Sequence, residues 1–283
     1  MDVSNLAGKT VLVTGAGSGI GRETALALAR RGADQAICDI NEQALGVIEG
    51  ELRALGRKVI ARRVDVSSLE EVQQFAASVH AEVEAVDILV NNAGVAVGGG
   101  LLDTTMEDWD WILGINLKGV IHGCHCFIPR MVSRGRGGHV VNLASTAAYL
   151  ATEALVAYTT TKFAVLGLSE ALRDELHRYG IGVTAICPGI INTPITTSAR
   201  LRGKTADPEA RQRMIDFYRW RSYGPERVAE KIMKAVARNA AVAPVSPEAW
   251  LAYILKRLSP GLVAWMNRKL SQRMQGTAGR TAN

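Results

Sequence analysis

Cysteine is scarce in this chain of 283 residues, which contains four: Cys38, Cys124, Cys126 and Cys187. Four irregularly spaced cysteines exclude the disulfide framework of a small secreted scaffold. Two of them stand in "HGCHC" at 122–126, where helical spacing would bring His122 and Cys126 onto one face as metal ligands. Because small cysteines among apolar neighbours usually belong to a core, we predict no metal site there.

Long apolar runs are scarce as well. The longest stretch without a charged residue, Gly180–Ala199, contains Pro188, Pro194 and Asn192, which predicts a strand followed by a loop rather than a membrane-spanning helix. The opening residues, "MDVSNLAGKT", lack a basic segment followed by an apolar run. We therefore expect no secretory leader and a cytoplasmic protein.

Most of the chain lacks an excess of either positive or negative charge. The formal net charge is +6, but residues 246–283 hold six lysines and arginines against Glu248 alone, which leaves +1 for all the other residues. Nucleic-acid binding depends on a basic surface, so the nearly neutral body of the chain gives no support for it. The charge instead sets the C-terminal segment apart.

The chain does contain a regular alternation of short apolar runs and longer helical patterns, the latter over 19–31, 42–55 and 69–83. Strands that alternate with helices predict a parallel sheet covered on both faces, with ligands at the carboxyl ends of the strands. We predict an α/β, doubly wound Rossmann fold with a seven-stranded, mostly parallel sheet over residues 1–245. A helical C-terminal extension over 246–283 follows.

The segment "TGAGSGIG", Thr14–Gly21, lies between the first predicted strand and the first predicted helix. Glycines let the backbone turn sharply and approach a pyrophosphate, whose charge is favoured by the free N–H groups and the dipole of a helix start. The spacing fits T-G-x-x-x-G-x-G, because Ile20 occupies the third position of a strict G-x-G-x-x-G. The dinucleotide-binding residues predicted here are Gly15, Gly17, Ser18, Gly19, Ile20 and Gly21.

Asp39 ends the second predicted strand, where a carboxylate can accept hydrogen bonds from the adenosine ribose. A 2′-phosphate beside this carboxylate would be repelled. Neither Ser18 nor Ile40 supplies a cation that would offset the repulsion. We therefore predict that the cofactor is NAD rather than NADP, with Asp39 and Ile40 at the ribose.

Further motifs follow at characteristic spacings. They are "DV" at Asp65–Val66, "NNAG" at 91–94, Asn116, Ser145, Tyr158 with Lys162, and "PG" at Pro188–Gly189 followed by Thr193. Together with the glycine-rich turn, they closely resemble the short-chain dehydrogenase/reductase family over roughly residues 7–245. A tyrosine four residues before a cation is weak evidence for a catalytic pair by itself, since Tyr223–Arg227 and Tyr253–Arg257 have the same spacing.

The resemblance implies an enzyme that interconverts an alcohol and a ketone. It implies that Tyr158 carries the proton and that Ser145 orients the substrate oxygen. Lys162 would hold the nicotinamide ribose, and Asn116 would anchor a water on the proton path. A free tyrosine titrates near 10, and we expect Lys162 and an oxidised nicotinamide to lower that pKa.

The resemblance also assigns the remaining cofactor contacts. Asp65 and Val66 would meet the adenine, and Asn92, Ala93 and Gly94 would form the floor of the cleft. The nicotinamide side would be formed by Pro188, Gly189, Ile190, Ile191 and Thr193. A homotetramer is implied as well, with interfaces at the helix Tyr158–Arg178 and near Val242–Val245.

Substrate choice is expected to depend on Ala147–Leu155 and on residues 190–222, a segment that we call the lid. The lid combines aromatic residues with several arginines, which predicts a mobile amphipathic cover with a solvated basic face. Alternatively, the arginines hold a phosphate or carboxylate, as in a β-ketoacyl thioester reductase, although Asp39 and the long C-terminal segment disfavour this. A non-enzymatic dinucleotide-sensing scaffold is a further alternative.

Residues 246–283, which we call the tail, show helical apolar spacing on both sides of "SPG". The first group comprises Trp250, Leu251, Ile254, Leu255 and Leu258, and the second comprises Leu262, Val263, Met266 and Leu270. We expect a docked helical pair that covers the substrate mouth or a subunit interface. A membrane-surface anchor is the rarer alternative. An apolar tail beside an apolar entrance favours a lipid-like or polycyclic substrate.

Overall fold

The computed structural model describes residues 2–221, 223–265 and 268–269. Its strands are β1 (Thr10–Thr14), β2 (Asp34–Asp39), β3 (Val59–Arg63), β4 (Ile88–Asn91), β5 (Val97–Gly98), β6 (Gly138–Leu143), β7 (Ile181–Cys187), β8 (Arg200–Leu201) and β9 (Val242–Pro244). Its α-helices are α1 (Gly19–Ala29), α2 (Glu42–Ala54), α3 (Leu69–Glu82), α4 (Met106–Leu113), α5 (Gly119–Arg134), α6 (Val156–His177), α7 (Ile195–Ser198), α8 (Pro208–Arg221), α9 (Pro225–Ala237) and α10 (Pro247–Leu258).

Seven strands form one sheet in the order β3-β2-β1-β4-β6-β7-β9, and all neighbours in it are parallel. The register places Val13 beside Ile37 and Val90 beside Val141, and all four side chains are fully buried. Such β-branched residues suit a sheet that is covered on both faces. The predicted doubly wound Rossmann fold is therefore confirmed. The strand order reverses between β1 and β4, which opens a crevice at their carboxyl ends.

Two layers of helices cover the sheet. On β1, Val13 faces a core that contains Leu28 of α1 and Ile232 of α9. Its neighbour Leu12 faces the opposite core, which contains Phe127 of α5 and Val165 of α6. Because successive side chains of a strand point to opposite faces, one short apolar strand serves both layers.

The segment from α4 to α5 is one continuous helical run, interrupted by a π-helical turn at Gly114–Lys118. By length and composition this run could cross a membrane, but half of its most apolar window is buried in the protein. The "HGCHC" side chains have other partners here. Cys124 is buried beside Asn91, and His122 Nδ1 lies 2.9 Å from the carbonyl oxygen of Val66.

The lid has regular structure in the described residues. It contains α7, β8, a 3₁₀ turn at Gly203–Ala206 and α8. Strand β8 pairs in parallel with β5, through Val97 beside Arg200 and Gly98 beside Leu201. This small second sheet attaches the lid to the segment that follows β4.

The predicted helical extension is present as α10 and a second helical segment at 260–265. Helix α10 packs on the body of the protein through Ala249 and Ala252, which are buried. The Tyr149 hydroxyl donates a hydrogen bond of 2.9 Å to the Ala249 carbonyl. Met266 and residues 270–283, which include Leu270, Arg273 and Arg280, lie outside the described part of the chain.

Candidate active site

The glycine-rich turn forms one wall of a cleft at the carboxyl end of the sheet. Gly15 has φ +65°, and a Cβ on it would lie 2.8 Å from the Ala93 Cα. Helix α1 begins directly afterwards, and its N-cap residue Ser18 makes no side-chain hydrogen bond to the helix. The first N–H groups of α1 are therefore available to an anion in the cleft. This wall fits a dinucleotide pyrophosphate.

Asp39 lies in the same cleft, held by two backbone hydrogen bonds. Its Oδ2 accepts 2.8 Å from the Gly17 N–H, and its Oδ1 accepts 2.9 Å from the Asn41 N–H. These bonds fix the carboxylate at the end of β2, where it suits a ribose diol. Gly17 does not line the cleft itself. The position of Gly17 requires a residue without a side chain, because a Cβ on it would lie 2.9 Å from the Asp39 Oδ2.

A cation stands closer to Asp39 than the sequence suggests. Arg63 on β3 is the register partner of Asp39 on β2. The Arg63 guanidinium is 3.2 Å from Glu71, with which it forms an ion pair. Because Glu71 already neutralises this cation, the ribose end of the cleft still disfavours a 2′-phosphate.

The floor of the cleft is tied to the first strand by Asn92. Its Nδ2 donates 2.9 Å to the Thr14 carbonyl and 3.0 Å to the Gly15 carbonyl. In return, the Thr14 hydroxyl accepts 3.0 Å from the Asn92 N–H. These contacts hold the ends of β1 and β4 together across the switch point.

Three of the predicted catalytic side chains meet at the opposite end of the cleft. Ser145 follows β6, while Tyr158 and Lys162 lie one turn apart on α6, and all three line the cleft. The Lys162 Nζ donates 2.8 Å to the Leu143 carbonyl and lies 5.6 Å from the centre of the Tyr158 ring. The spacing predicted from the sequence therefore brings a phenol, a hydroxyl and an ammonium into one place.

Burial shifts the pKa of both ionisable groups. It raises the pKa of the Tyr158 phenol to about 12, and a hydrogen bond with the Ser145 side chain opposes this rise. Burial also lowers the pKa of Lys162 to about 8. That Lys162 and an oxidised nicotinamide together lower the pKa of the phenol stays a prediction. Within the protein, Ser145 favours the phenolate.

Asn116 is fully buried in the π-helical turn and does not line the cleft. Its Nδ2 donates to the Val95 carbonyl at 2.9 Å and to the Thr161 hydroxyl at 3.2 Å, while its Oδ1 accepts from the Val95 N–H at 2.8 Å. Both amide protons are engaged within the protein. The side chain thus positions the segment after β4 against α6. The predicted role of Asn116 in anchoring a water stays a prediction, and its two amide protons are not the donors for that water.

Most of the other predicted cofactor residues also line the cleft. The lining residues among them are Gly15, Ser18, Gly19, Ile20, Asp39, Ile40, Asp65, Val66, Asn92, Ala93, Gly94, Pro188, Gly189, Ile191 and Thr193. Gly17, Gly21 and Ile190 lie behind them. The cleft is also lined by Pro194, Ile195, Ser198 and Tyr218 of the lid, and by five residues that the sequence did not single out, Val64, Val95, Ile115, Leu143 and Ala144.

Several lid arginines are engaged with protein groups. Asp108, whose side chain is 1% exposed, lies 2.7 Å from Arg202 and 3.3 Å from Arg200. The hydrogen bond from Arg202 lowers the pKa of Asp108, and Arg200 also stacks on Trp111. On α8, Arg213 pairs with Glu209. These contacts leave the arginines poorly placed for a substrate phosphate.

Glu248, at the start of α10, connects the tail to the cofactor side of the cleft. One carboxylate oxygen accepts from the Ile190 N–H at 3.4 Å, and the other pairs with Arg221 at the end of the lid. Burial alone would raise the pKa of Glu248, but the hydrogen bonds and Arg221 lower it overall. The loop after β7, the lid and the tail thus meet at one carboxylate, which the sequence analysis missed.

Comparison with known proteins agrees with this site. Residues 9–203 match the short chain dehydrogenase family. The chain belongs to that family. Its members are oxidoreductases, and solved relatives are in complex with NAD. The cleft of this chain fits such a dinucleotide at the glycine-rich turn and at Asp39.

Individual relatives span the chain to different extents. The oxidoreductase EphD of Mycobacterium tuberculosis is 45% identical over 254 residues, which are 88% of this chain and 43% of EphD. The chain thus spans less than half the length of that relative. SadH of the same species, an oxidoreductase, is 35% identical over 260 residues, 90% of this chain and 92% of SadH. A short chain dehydrogenase/reductase from Burkholderia phymatum in complex with NAD has a TM-score of 0.83 at 32% identity and covers 93% of this chain and 96% of its own.

Proposed function

We propose that this protein interconverts a secondary alcohol and a ketone with NAD, on an apolar, lipid-like or polycyclic substrate. The observation that carries the proposal is the position of the Tyr158 phenol. It lies beside Ser145 in the lining of the same cleft that contains Asp39 and the glycine-rich turn. A proton carrier and a dinucleotide site that share one cleft suit hydride transfer at an alcohol carbon.

When bound, NAD takes a hydride from the alcohol carbon or returns it to the ketone. The side chains of the chain itself act on the substrate oxygen. The Ser145 hydroxyl orients this oxygen, and the Tyr158 phenol gives it a proton or removes one. Because the pKa of Tyr158 is about 12, the phenol is protonated at neutral pH. The proton that ketone reduction needs is therefore already on the phenol. The rate of alcohol oxidation, in contrast, should rise with pH.

Lys162 supports this step from the cofactor side. An ammonium has three N–H donors, and one of them binds the Leu143 carbonyl. The other two are free to meet ribose hydroxyls in the cleft. With a pKa of about 8, Lys162 is mostly protonated at neutral pH and favours a neighbouring anion.

The substrate end of the cleft supports an apolar substrate. Val95, Leu143, Ile191, Ile195 and Tyr218 are among the residues that line the cleft shared with the phenol. Tyr218 belongs to α8, so the lid contributes an aromatic ring to this wall. Apolar walls with a few polar groups at the reacting atoms are typical of sites that bind hydrophobic small molecules.

The test is NADH formation over a panel of alcohols. The panel contains long-chain and polycyclic secondary alcohols, short secondary alcohols and a β-hydroxyacyl thioester. The largest kcat/KM on the long-chain or polycyclic alcohols supports the proposal. A preference for the thioester would favour the thioester reductase, and tight NAD binding without turnover would favour the sensing scaffold.

A homotetramer in the cytoplasm is the assembly that we propose. Its support is the apolar surface of α5 and α6, where Ile121 and Phe163 are exposed. Light scattering at micromolar concentration tests the assembly, and a monomer there would contradict it.

A further inference from the structure

The tail exposes large apolar side chains on one side. Residues 250, 251, 254 and 258 recur at the spacing of one helix face. Their exposed fractions, with those of two residues in the following helical segment, are Trp250 46%, Leu251 60%, Ile254 47%, Leu258 79%, Leu262 43% and Trp265 57%. We call these six residues the tail face.

The tail face cannot turn inward without breaking existing contacts. The opposite side of α10 is already packed, with Ala249 and Ala252 buried. Tyr149 bonds the Ala249 carbonyl, and Glu248 bonds the Ile190 N–H and pairs with Arg221. The orientation of α10 is therefore fixed by the body of the protein, and the apolar stripe is left outside.

The tail that carries this apolar stripe is also basic. Among the described tail residues, Lys256, Arg257, Arg268 and Lys269 are cations, of which Arg257 pairs with Glu170 at 3.8 Å, and the single carboxylate, Glu248, is engaged with Arg221. Residues 246–283 carry +5 of the net charge of +6. An exposed apolar stripe in a strongly basic segment suits a binding partner whose surface is both apolar and negatively charged.

A second copy of the chain fits this description poorly. A twofold contact brings the same surface of both copies together, so it would place these cations opposite one another. The surface of an anionic bilayer fits it well. Trp and Leu side chains insert at the boundary between headgroups and acyl chains, while lysines and arginines attract anionic headgroups.

We propose that the tail face docks this protein on the surface of an anionic lipid bilayer. The proposal does not depend on the reaction proposed above. It places the cleft near the lipid, because Glu248 joins the start of α10 to both the lid and the loop after β7. The exposed Phe217 and Trp220 of α8 lie at the same end of the lid as Arg221. An apolar substrate could then reach the cleft from the bilayer.

The experiment is sedimentation of the full chain with vesicles. One set contains phosphatidylglycerol mixed with phosphatidylcholine, and the other contains phosphatidylcholine alone. We expect binding to the anionic vesicles, much weaker binding to the neutral ones, and loss of the difference at high salt. The triple variant Trp250→Ser, Leu251→Ser, Leu258→Ser should weaken binding by about tenfold or more, because it removes inserted apolar area.

The matched control is Val47→Ser with Leu69→Ser. These side chains are also exposed, on α2 and at the start of α3, and the sheet order puts them at the edge opposite β9. The control should bind vesicles like the wild type. NAD binding should be unchanged in both variants, which verifies that they fold.

Three results would overturn the proposal. The first is no binding of the wild type to anionic vesicles, and the second is equal binding by the triple variant. The third is a loss of oligomers on analytical ultracentrifugation of the triple variant without any vesicle binding by the wild type. That third result would show that the tail face contacts a second copy of the chain.

Discussion

On the sheet side of the cleft, the functional groups stand at the ends of β1, β2, β4 and β6. On the lid side they stand on α7 and α8, which are held by ion pairs to distant parts of the chain. Asp39 is fixed by backbone N–H groups at Gly17 and Asn41. The lid, in contrast, is attached by the short pairing of β8 with β5 and by the ion pairs of Arg202 with Asp108 and of Arg221 with Glu248.

This difference separates chemistry from selectivity. Backbone hydrogen bonds and strand ends give the sheet side a fixed geometry, which suits a cofactor that is the same in every cycle. Ion pairs between partly exposed side chains are weaker and can vary without disturbing the sheet. We therefore expect changes on the sheet side to affect cofactor binding or turnover, and changes on the lid side to affect the substrate.

Among changes outside the phenol itself, the largest effect is expected at Lys162, which serves both the cofactor and the phenol. Lys162→Ala should lower kcat/KM by on the order of 10²-fold or more and weaken NAD binding by about tenfold. Lys162→Met keeps the length without the charge and should lose nearly as much. Steady-state kinetics and fluorescence titration measure the two effects. Loss of turnover with intact NAD binding would contradict the ribose role.

The next effect concerns the choice between NAD and NADP. Asp39→Ala combined with Ile40→Arg should reverse the preference, with a change of about 10- to 100-fold in the ratio of the two affinities. The single change Ile40→Arg is the control and should shift the ratio less, since the carboxylate remains. Titration of both reduced cofactors by fluorescence gives the ratio. Tighter binding of NADPH by the wild type would contradict the assignment.

On the lid side, Asp108→Asn removes the charge that Arg200 and Arg202 share. Because both arginines are partly exposed, the loss is moderate, and KM for the substrate should rise by about tenfold with NAD affinity unchanged. Glu209→Gln breaks only the exposed pair with Arg213 and should change neither constant. An equal loss of NAD affinity in Asp108→Asn would erase the distinction between the two sides.

The smallest effect is expected at Glu248, where the two sides meet. Glu248→Gln keeps the shape but weakens the link to Arg221 and Ile190, so KM for NAD should rise about two- to fivefold. Truncation after Ser259 keeps α10 and Glu248 and should leave NAD binding intact. Truncation after Pro247 would remove Glu248 as well, so it cannot separate a substrate role of the tail from a cofactor role.

The sequence predicted the sheet side far better than the lid side. Gly15, Asp39, Tyr158 and Lys162 are set by local structure, namely a strand end, a tight turn or one helix face, and local structure is encoded by spacing. The sequence also led to the right fold, because the alternation of strands and helices constrains the topology.

Long-range contacts explain what the sequence missed. Arg202 lies 94 residues from Asp108 in the sequence, so residue spacing does not predict their ion pair. For the same reason it does not predict that lid arginines bind carboxylates of the protein. Burial cannot be read from residue spacing either, so the rise that it causes in the pKa of Tyr158 was not foreseen. Asn116 was predicted from its motif, but the hydrogen bonds of its amide with Val95 and Thr161 could not be foreseen from the sequence.

The central claim is that the Tyr158 phenol carries the proton in NAD-coupled alcohol oxidation. Its most direct test is the rate of NADH formation by the wild type and by Tyr158→Phe across neutral and alkaline pH, with NAD affinity measured in parallel. The wild-type rate should rise with pH, since the phenol titrates near 12. Tyr158→Phe should lose on the order of 10²- to 10⁴-fold in kcat at every pH while it binds NAD nearly as well. A variant that keeps more than a few per cent of the wild-type rate, with the same rise with pH, would contradict the account.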